Sequence, residues 1–93
     1  MQIEKIGVLG AGTMGHGIAQ VAAQAGYDVI MRDIEQEFID KGMESIEKFL
    51  SKSVSKDKIS QEEKSNIISR IDTTLELQDL NDCDIIIEAI IEE

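Results

Sequence analysis

A glycine-rich loop set between a strand and a helix constrains this chain more than any other feature of its sequence. The loop is Gly10–Gly15, with the spacing GxGxxG, and it directly follows the apolar run Ile6–Leu9. That run predicts a short buried strand, and the alanine-rich segment Thr13–Ala25 predicts a helix with Gly26 as its C-cap. A lone GxGxxG is weak evidence because glycine is common, but a strand before it and a helix after it are the context that dinucleotide binding requires.

Each glycine of the loop has a physical reason to be there. Gly10 permits the tight turn out of the strand, Gly12 leaves the backbone open to a pyrophosphate, and Gly15 lets the helix pack closely on the strand. The free N–H groups at the helix start and the helix dipole then favour phosphate. We therefore predict that the pyrophosphate of a dinucleotide binds to Gly10, Ala11, Gly12, Thr13, Met14 and Gly15.

Asp33 is predicted to select NAD over NADP. It ends a second predicted strand, Tyr27–Asp33, and lies 18 residues after Gly15. That spacing is near the roughly 20 residues expected for the acid that accepts both hydroxyls of the adenosine ribose. A carboxylate there would repel the 2′-phosphate of NADP. Strand alternation would point the neighbouring Arg32 the other way, and Ile34–Glu37 add no base to offset the repulsion. The sequence favours NAD as the cofactor; the structural alternative is that Asp33 only caps the next helix.

The rest of the chain continues the alternation of strands and helices. The pattern predicts a long amphipathic helix over Glu35–Val54, a helix from the capping box at Ser60–Glu63 to about Arg70, a short strand at Ile71–Thr74 and an apolar strand at Asp84–Ala89. The last run is so continuously apolar that it is typical of a strand covered on both faces. Strands separated by helices predict an α/β fold of Rossmann type, with a doubly wound parallel sheet of about four strands.

The predicted fold is incomplete for its type. A chain of 93 residues forms one compact domain at most, and a doubly wound dinucleotide fold normally carries more strands beyond its fourth. The last strand would then lie at an open sheet edge with bare apolar faces, which invites association. We interpret residues 1–93 as the N-terminal, partial dinucleotide-binding domain of a longer protein; the alternative is a naturally small domain whose edge is paired in an oligomer.

Composition excludes several partners and sites. The 19 acidic residues exceed the 9 basic ones, and such a chain should repel nucleic acid and anionic membranes. No stretch approaches the roughly 20 apolar residues of a membrane span, and Met1–Ile6 lacks the apolar core of a signal peptide. The single cysteine, Cys83, has no disulfide partner in this sequence and no metal-ligand spacing around it, so no metal is expected. The cytoplasm is the expected location.

We assign no catalytic role to the single histidine or to the single cysteine. His16, the only histidine, falls in the first turn of the predicted helix, at its phosphate end, and we interpret it as a partly exposed helix residue rather than a general base. Cys83 lies between Asp82 and Asp84, whose charges disfavour the thiolate, so we expect it to be inert.

A cluster of lysines interrupts the acidic composition. The five bases within 18 residues are Lys41, Lys48, Lys52, Lys56 and Lys58. A solvated helix face, with pairing between Glu44 and Lys48, explains them without a ligand. The alternative is a docking strip for a phosphorylated ligand other than the dinucleotide, and charge alone does not decide between the two.

Three runs of this sequence together resemble a known enzyme family. They are Val8–Gln20, Val29–Asp33 and Cys83–Glu92, which contain the patterns GAGTMGxGIAQ, RD and CDxIIEAxxE. With these runs the chain resembles the L-3-hydroxyacyl-CoA dehydrogenases over essentially its whole length, and among them most closely the bacterial 3-hydroxybutyryl-CoA enzymes. The resemblance implies NAD as the cofactor and a reversible hydride transfer between NAD(H) and the C3 position of 3-hydroxyacyl-CoA or 3-ketoacyl-CoA.

The resemblance also implies roles for particular residues. Gly10–Gly15 would bind the pyrophosphate and Asp33 the adenosine ribose, as the spacing itself suggests. Glu92 matches a family residue that contacts the cofactor near its nicotinamide end, and Ala89 and Ile90 would line that part of the pocket. The positions of the family that contact coenzyme A are matched by Lys52 and Lys56.

The resemblance carries an expectation about what this chain does not contain. In the family, the catalytic His–Glu pair with its assisting Ser and Asn, and the helical C-terminal domain for substrate and dimerisation, follow the region matched here. We therefore assign no catalytic residue to residues 1–93 and expect the isolated chain to be inactive. The full-length protein is expected to be a homodimer that binds acyl-CoA.

Three alternatives remain at this point. The chain could belong to another β-hydroxyacid dehydrogenase with the same loop, although lysines placed for coenzyme A argue against that. It could be a stand-alone NAD-binding or scaffold module paired through its edge strand. A flavin-binding fold shares the glycine loop and is the most remote alternative.

Overall fold

The computed structural model describes residues 2–90 and contains every strand and helix that the pattern predicts. In chain order the elements are β1 (Lys5–Leu9), α1 (Thr13–Gln24), β2 (Asp28–Arg32), α2 (Gln36–Ser55), α3 (Gln61–Ser69), β3 (Ile71–Thr74), a 3₁₀ helix (Leu77–Leu80) and β4 (Ile85–Glu88). The 3₁₀ helix was not predicted. The α/β class is confirmed.

The four strands form one parallel sheet in the order β3-β2-β1-β4. Gly7 of the central strand β1 is paired with Ile30 of β2 on one side and with Ile86 of β4 on the other. The chain moves from β1 to β2 to β3 in one direction and then returns to place β4 beyond β1. The strand order therefore reverses between β1 and β4, and the carboxyl ends of these strands form the crevice in which such sheets bind ligands.

The core lies between the sheet and the three helices, which cover one face. The apolar residues along one face of the amphipathic helix α2 lie in this core: Ile39, Ile46 and Leu50 are buried and Met43 is half-buried. Burial of each such side chain contributes about 1.5–3 kcal/mol before the entropy of ordering is counted. The spacing of apolar residues in α2 thus determines which side of this helix is buried.

The face of the sheet opposite the three helices, and the edge strand β4, are less covered than the sequence predicts. Within residues 2–90, the 3₁₀ helix is the only helix on that side, and its Leu80 is buried against Gly7. On β4, Ile85 and Ile86 remain 43% and 48% exposed, so the expectation that this strand is covered on both faces is wrong for the described chain. The expectation of an open edge with apolar faces is confirmed.

The predicted helix ends are present. Gly26, with φ +102°, follows α1; the N–H groups of Gly26 and Tyr27 donate to the carbonyls of Ala23 and Ala22, which is a Schellman motif. At the start of α3, Ser60 and Glu63 exchange the two hydrogen bonds of a capping box. Among the described residues, no helix is both long and apolar enough to cross a membrane.

Candidate functional site

The glycine loop lies at the carboxyl end of the central strand and is held from both sides. Gly10 has φ +112°, a conformation that other residues rarely adopt. Its N–H donates to the carbonyl of Arg32 at 2.7 Å, and a Cβ on Gly10 would lie 3.0 Å from the carbonyl oxygen of Ala89. The turn therefore fits between the ends of β2 and β4 only as glycine.

The other two glycines of the motif differ in what surrounds them. A Cβ on Gly15 would overlap the carbonyl oxygen of Gly10, whereas a Cβ on Gly12 would meet no atom of residues 2–90 within 4 Å. Gly15 is thus required by the packing of α1 on the loop, as predicted. The protein itself does not require glycine at Gly12, and the reason that remains is the approach of a ligand.

Among the described residues, the N–H groups in the first turn of α1 have no hydrogen-bond partner. Gly12 is the N-cap and provides no side chain, and the turn contains no acidic residue. The first helical hydrogen bond runs from the N–H of His16 to the carbonyl of Gly12 at 3.0 Å. The N–H groups of Thr13, Met14 and Gly15 precede it, in the position that binds anions in other helices. The fully capped start of α3 shows that this chain does cap a helix elsewhere.

Asp33 connects the end of β2 to the glycine loop. Its Oδ2 accepts a hydrogen bond from the N–H of Ala11 at 2.8 Å, and its Oδ1 accepts one from the N–H of Ile34 at 2.7 Å. Each oxygen keeps a lone pair that could accept a ribose hydroxyl. The N-cap of α2 is Glu35, so the alternative in which Asp33 merely caps that helix does not describe this structure.

A pocket of about 380 Å³ joins the glycine loop to Asp33. This volume lies in the range of small-molecule sites, roughly 300–1,000 Å³. Apart from the loop and Asp33, the pocket has an apolar lining. It consists of Ile34 and Phe38, which follow β2, and Ala89 and Ile90, which follow β4. An acceptor for hydroxyls beside an apolar slot suits a nucleoside.

Two basic residues also line this pocket, and the sequence analysis assigned neither of them to it. β2 ends at Arg32, so strand alternation does not extend to Asp33, and Arg32 lies on the pocket wall with its Nε donating to the carbonyl of Leu75 at 3.2 Å. Lys41, one turn into α2, lines the same pocket. The sequence analysis considered only Arg32 and Ile34–Glu37 for a base near Asp33, and Lys41 lies beyond those residues.

Gly42 is a further residue of the site that the sequence analysis missed. A Cβ on Gly42 would lie 2.7 Å from the carbonyl oxygen of Ala11, so glycine lets α2 lie directly on the glycine loop. The signal was present in the sequence, because a glycine inside a helical pattern marks a close backbone approach. Ile34 and Phe38 carried no such signal.

The structure does not bring the two lysines predicted to contact coenzyme A into this pocket. Lys52 lies 11 residues beyond Lys41 on α2, which is about 16 Å along the helix axis. Lys52 and Lys56 are exposed, and Phe49, 54% exposed, precedes them by three and seven residues on the same side of the helix. These three residues form a second, separate surface, which we call the α2 lysine face.

The remaining candidates are distributed as follows. His16 is partly buried, as expected, and its Nδ1 has no hydrogen-bond partner among the described residues. The side chain of Met14 lines a groove beside β4 and not the pocket at Asp33. Glu92 lies outside the described residues. Within residues 2–90, no group of three or more His, Cys, Asp or Glu side chains could hold a metal.

Cys83 has the environment of an unreactive thiol. Burial raises its pKa above the ordinary value; Lys5 opposes this shift, and the charges of Asp82 and Asp84 add to it. The direction agrees with the sequence analysis, but burial is the larger cause and the two acids the smaller one.

Comparison with known proteins gives consistent matches along the chain. The family described as 3-hydroxyacyl-CoA dehydrogenase, NAD binding domain, matches residues 5–93. A probable 3-hydroxybutyryl-CoA dehydrogenase of Deinococcus radiodurans is 51% identical over 88 residues, which are 95% of this chain and 31% of that protein. A fatty acid oxidation complex subunit alpha of Idiomarina loihiensis is 42% identical over 98% of this chain and 13% of its own length.

A solved structure shows the same architecture. The crystal structure of (S)-3-hydroxybutyryl-CoA dehydrogenase from Ralstonia eutropha superimposes with a TM-score of 0.96 at 37% identity, over 99% of this chain and 32% of that one. The chain thus spans about a third of the length of the 3-hydroxybutyryl-CoA dehydrogenases that it matches.

Proposed function

Because this chain belongs to the family of 3-hydroxyacyl-CoA dehydrogenase NAD-binding domains, we propose that it is the cofactor-binding part of a 3-hydroxybutyryl-CoA dehydrogenase. The proposed reaction is the reversible transfer of hydride between NAD(H) and the C3 position of 3-hydroxyacyl-CoA or 3-ketoacyl-CoA. The observation that supports the proposal is the hydrogen bond between Asp33 and Ala11, because it joins the acid proposed to bind the ribose to the loop proposed to bind the pyrophosphate.

The residues present fit the adenosine and pyrophosphate parts of NAD. The N–H groups of Gly12–Gly15 would bind the pyrophosphate and Asp33 the ribose hydroxyls. The adenine would lie in the apolar slot that Ile34 and Ile90 border. By resemblance, Glu92 would contact the cofactor near the nicotinamide, with Ala89 and Ile90 beside it. Bound NAD would supply the hydride acceptor, and this chain's share is to hold and orient it.

The α2 lysine face is proposed to bind coenzyme A. Lys52 and Lys56 present two positive charges in a chain of net charge −10, and cations on one face suit the phosphates of the coenzyme. The exposed ring of Phe49 between them and the pocket offers a surface on which the adenine of coenzyme A could stack. The distance of this face from Asp33 suits a long substrate that reaches the reacting centre with its acyl end only.

The rest of the proposal concerns the whole protein. We expect a C-terminal helical domain to provide the catalytic groups and a homodimer interface, and the isolated 93-residue chain to associate through the open edge of β4. Action on a four-carbon acyl-CoA places the protein in butyrate metabolism or fatty acid oxidation. The cytoplasm is the proposed location, supported by the single, unpaired Cys83.

The test is a calorimetric titration of the purified chain with NADH, with NADPH as the control. Saturable binding that favours NADH supports the proposal. Stronger binding of NADPH, or of a flavin detected by its absorbance, would contradict it. The same preparation is then assayed with acetoacetyl-CoA: we expect no oxidation of NADH, and turnover proportional to protein would show that residues 1–93 contain their own general base.

The coenzyme A site is tested separately, by comparing coenzyme A with its 3′-dephospho form. The double variant Lys52→Gln/Lys56→Gln should lose affinity for coenzyme A and little for the dephospho form. Lys48→Gln, on the same helix but beside Glu44 and Glu47, is the matched control and should bind as the unchanged chain does. Equal affinities in all three proteins would remove the α2 lysine face from the substrate site.

A further inference from the structure

We propose that Gly42 of α2 is a positioning residue for the cofactor: it orients the peptide between Ala11 and Gly12 so that the N–H of Gly12 is directed at the pyrophosphate. The inference deepens the proposed function, since it rests on the glycine loop being the pyrophosphate site. It predicts that the affinity of the loop for phosphate depends on a helix outside the loop, which itself does not touch the phosphates.

The close contact between α2 and the loop carries the inference. Gly42 is buried in α2, and a Cβ built on it would lie 2.7 Å from the carbonyl oxygen of Ala11 and 3.2 Å from the Cβ of Ala11. The carbonyl oxygen is the nearest atom and lies nearer than the carbonyl carbon. The carbonyl group of Ala11 therefore points toward α2.

Peptide geometry converts this contact into a direction for the next N–H group. A trans peptide is planar, and its C=O and the N–H that follows point to opposite sides. With the carbonyl of Ala11 facing Gly42, the N–H of Gly12 faces away from α2. This N–H donates to no acceptor among the described residues, and Gly12 lines the pocket at Asp33. The group is thus left for a ligand.

The two peptides on either side of Ala11 are oriented by different elements. The N–H of Ala11 donates to Asp33 at 2.8 Å, which fixes the first peptide from the end of β2. Within residues 2–90, no backbone N–H donates to the carbonyl of Ala11, so packing against Gly42 orients the second peptide. The helix that provides this contact is itself held by the buried side chains of Ile46 and Leu50.

Alanine at position 42 would force the helix and the loop apart. A separation of 2.7 Å is far shorter than the roughly 3.5–4.0 Å of favourable contact between non-bonded heavy atoms. Because the buried side of α2 resists movement, we expect the short loop to yield and the peptide after Ala11 to turn. The N–H of Gly12 then loses its alignment, and hydrogen bonds weaken steeply as their angle departs from linear.

The experiment compares ADP-ribose, which contains the pyrophosphate, with adenosine, which does not. In Gly42→Ala we expect the affinity for ADP-ribose to fall about 10- to 100-fold, the effect of losing one hydrogen bond to a charged group. The affinity for adenosine should change little, whereas a residue that only supports the fold would weaken both ligands alike. Calorimetry measures ADP-ribose, an NMR titration measures adenosine, and melting curves verify folding.

Gly17→Ala is the matched control. Gly17 is also a glycine inside a helix, but a Cβ there meets no atom within 4 Å among the described residues outside its own helix. Both substitutions replace a helical glycine with alanine and so bring the same gain in helix propensity. Gly17→Ala should bind ADP-ribose and adenosine as the unchanged chain does.

A measurement on the unchanged chain decides the matter if Gly42→Ala fails to fold. Nuclear Overhauser effects report which protons lie close to the Hα protons of Gly42. We expect an effect to the methyl group of Ala11 and none to the amide proton of Gly12. A strong effect between Gly42 and the amide proton of Gly12 would mean that this peptide is turned the other way, and the inference would be wrong.

The inference is also overturned if folded Gly42→Ala binds ADP-ribose as the unchanged chain does, if it loses ADP-ribose and adenosine equally, or if Gly17→Ala shows the same selective loss. The proposed function is tested by a different reading, the binding of NADH to the unchanged chain. A chain that binds NADH, but whose Gly42→Ala variant shows no selective loss of ADP-ribose, keeps the proposed function and loses this inference.

Discussion

The carboxylate of Asp33 accepts a hydrogen bond of 2.8 Å from the N–H of Ala11, so the acid at the end of β2 is joined directly to the glycine loop of β1. The bond orders two parts of the cofactor site relative to each other. It also gives Asp33 a role in shaping the loop in addition to the role proposed for it in binding ribose.

Asp33→Ala should therefore weaken NADH binding in two ways, by removing the ribose acceptor and by releasing the loop. We expect a loss of about 1–3 kcal/mol of binding free energy, the scale for hydrogen bonds to a charged group. Asp33→Asn, which can still accept from Ala11, should lose less. Calorimetric titration of both variants measures the difference, and an unchanged titration for Asp33→Ala would remove this residue from the site.

Gly12 and Gly15 should respond in opposite ways to the same substitution. A methyl group at Gly12 meets no protein atom within 4 Å, and the backbone there, with φ −70°, suits alanine. Gly12→Ala should fold with an unchanged melting temperature and lose NADH affinity at least about tenfold, because the methyl group occupies the path of the pyrophosphate. The measurement is a melting curve followed by titration with NADH.

Gly15→Ala is the comparison variant. Its methyl group would overlap the carbonyl oxygen of Gly10, so we expect a cost of at least about 1–3 kcal/mol in the free energy of unfolding, typical of overpacking. A Gly12→Ala protein that melts early but still binds NADH normally would show that the two glycines have been assigned the wrong way round.

The structure shows which parts of the site could be predicted from the sequence. The glycine loop, the buried face of α2 and the capping box at Ser60 were predicted because each is a local pattern, read from spacing within one or two turns of chain. Asp33 was predicted because its distance from the loop along the sequence reflects the length of one strand–helix–strand unit.

The features that were missed depend on where one element ends against another. Arg32 borders the pocket because β2 ends there, next to the glycine loop. Lys41 lines the pocket because α2 lies close to the loop at Gly42, and the exposure of Ile86 follows from the sheet order. These are tertiary relationships, and no periodicity within a single element contains them.

The turn between α2 and α3 offers a stabilising substitution. Asp57 has φ +57° and is the residue at C′ of a Schellman motif, in which the N–H of Asp57 donates to Val54 and the N–H of Lys58 donates to Ser53. Glycine is the preferred residue there, as Gly26 is after α1. We expect Asp57→Gly to raise the free energy of unfolding by about 0.5–1 kcal/mol, after allowance for the freedom of glycine in the unfolded chain.

Two controls separate backbone strain from charge in this turn. Asp57→Asn removes the negative charge near the end of α2 but keeps a side chain at the left-handed position. We therefore expect it to raise the free energy of unfolding less than Asp57→Gly does. Lys56→Gly, at φ −94°, should lose stability, because glycine has no advantage there. Thermal melting measures all three, and equal stabilisation by Asp57→Gly and Asp57→Asn would assign the effect to charge.

Asp84 should make the stability of the domain depend on pH in the acidic range. Its Oδ2 accepts hydrogen bonds from the N–H groups of Glu4 and Lys5, both at 2.9 Å, and so joins the start of β4 to the start of β1. These two bonds hold the pKa of Asp84 below its ordinary value of 3.8. A carboxyl group whose pKa is lower in the folded chain contributes stability above its ordinary pKa and loses that contribution as the pH falls through the folded value.

Asp84→Asn should therefore melt below the unchanged chain near neutral pH, and the gap should begin to close only as the pH falls below 3.8 and should close further as the pH passes through the lower folded value. Asp82→Asn is the control for the loss of one charge in the same turn, because the carboxylate of Asp82 accepts no hydrogen bond from the described residues; it should melt close to the unchanged chain near neutral pH. Melting curves from neutral pH to well below 3.8 decide the matter: a gap for Asp84→Asn that stays constant over the whole range would mean that Asp84 acts by shape and not through its charge.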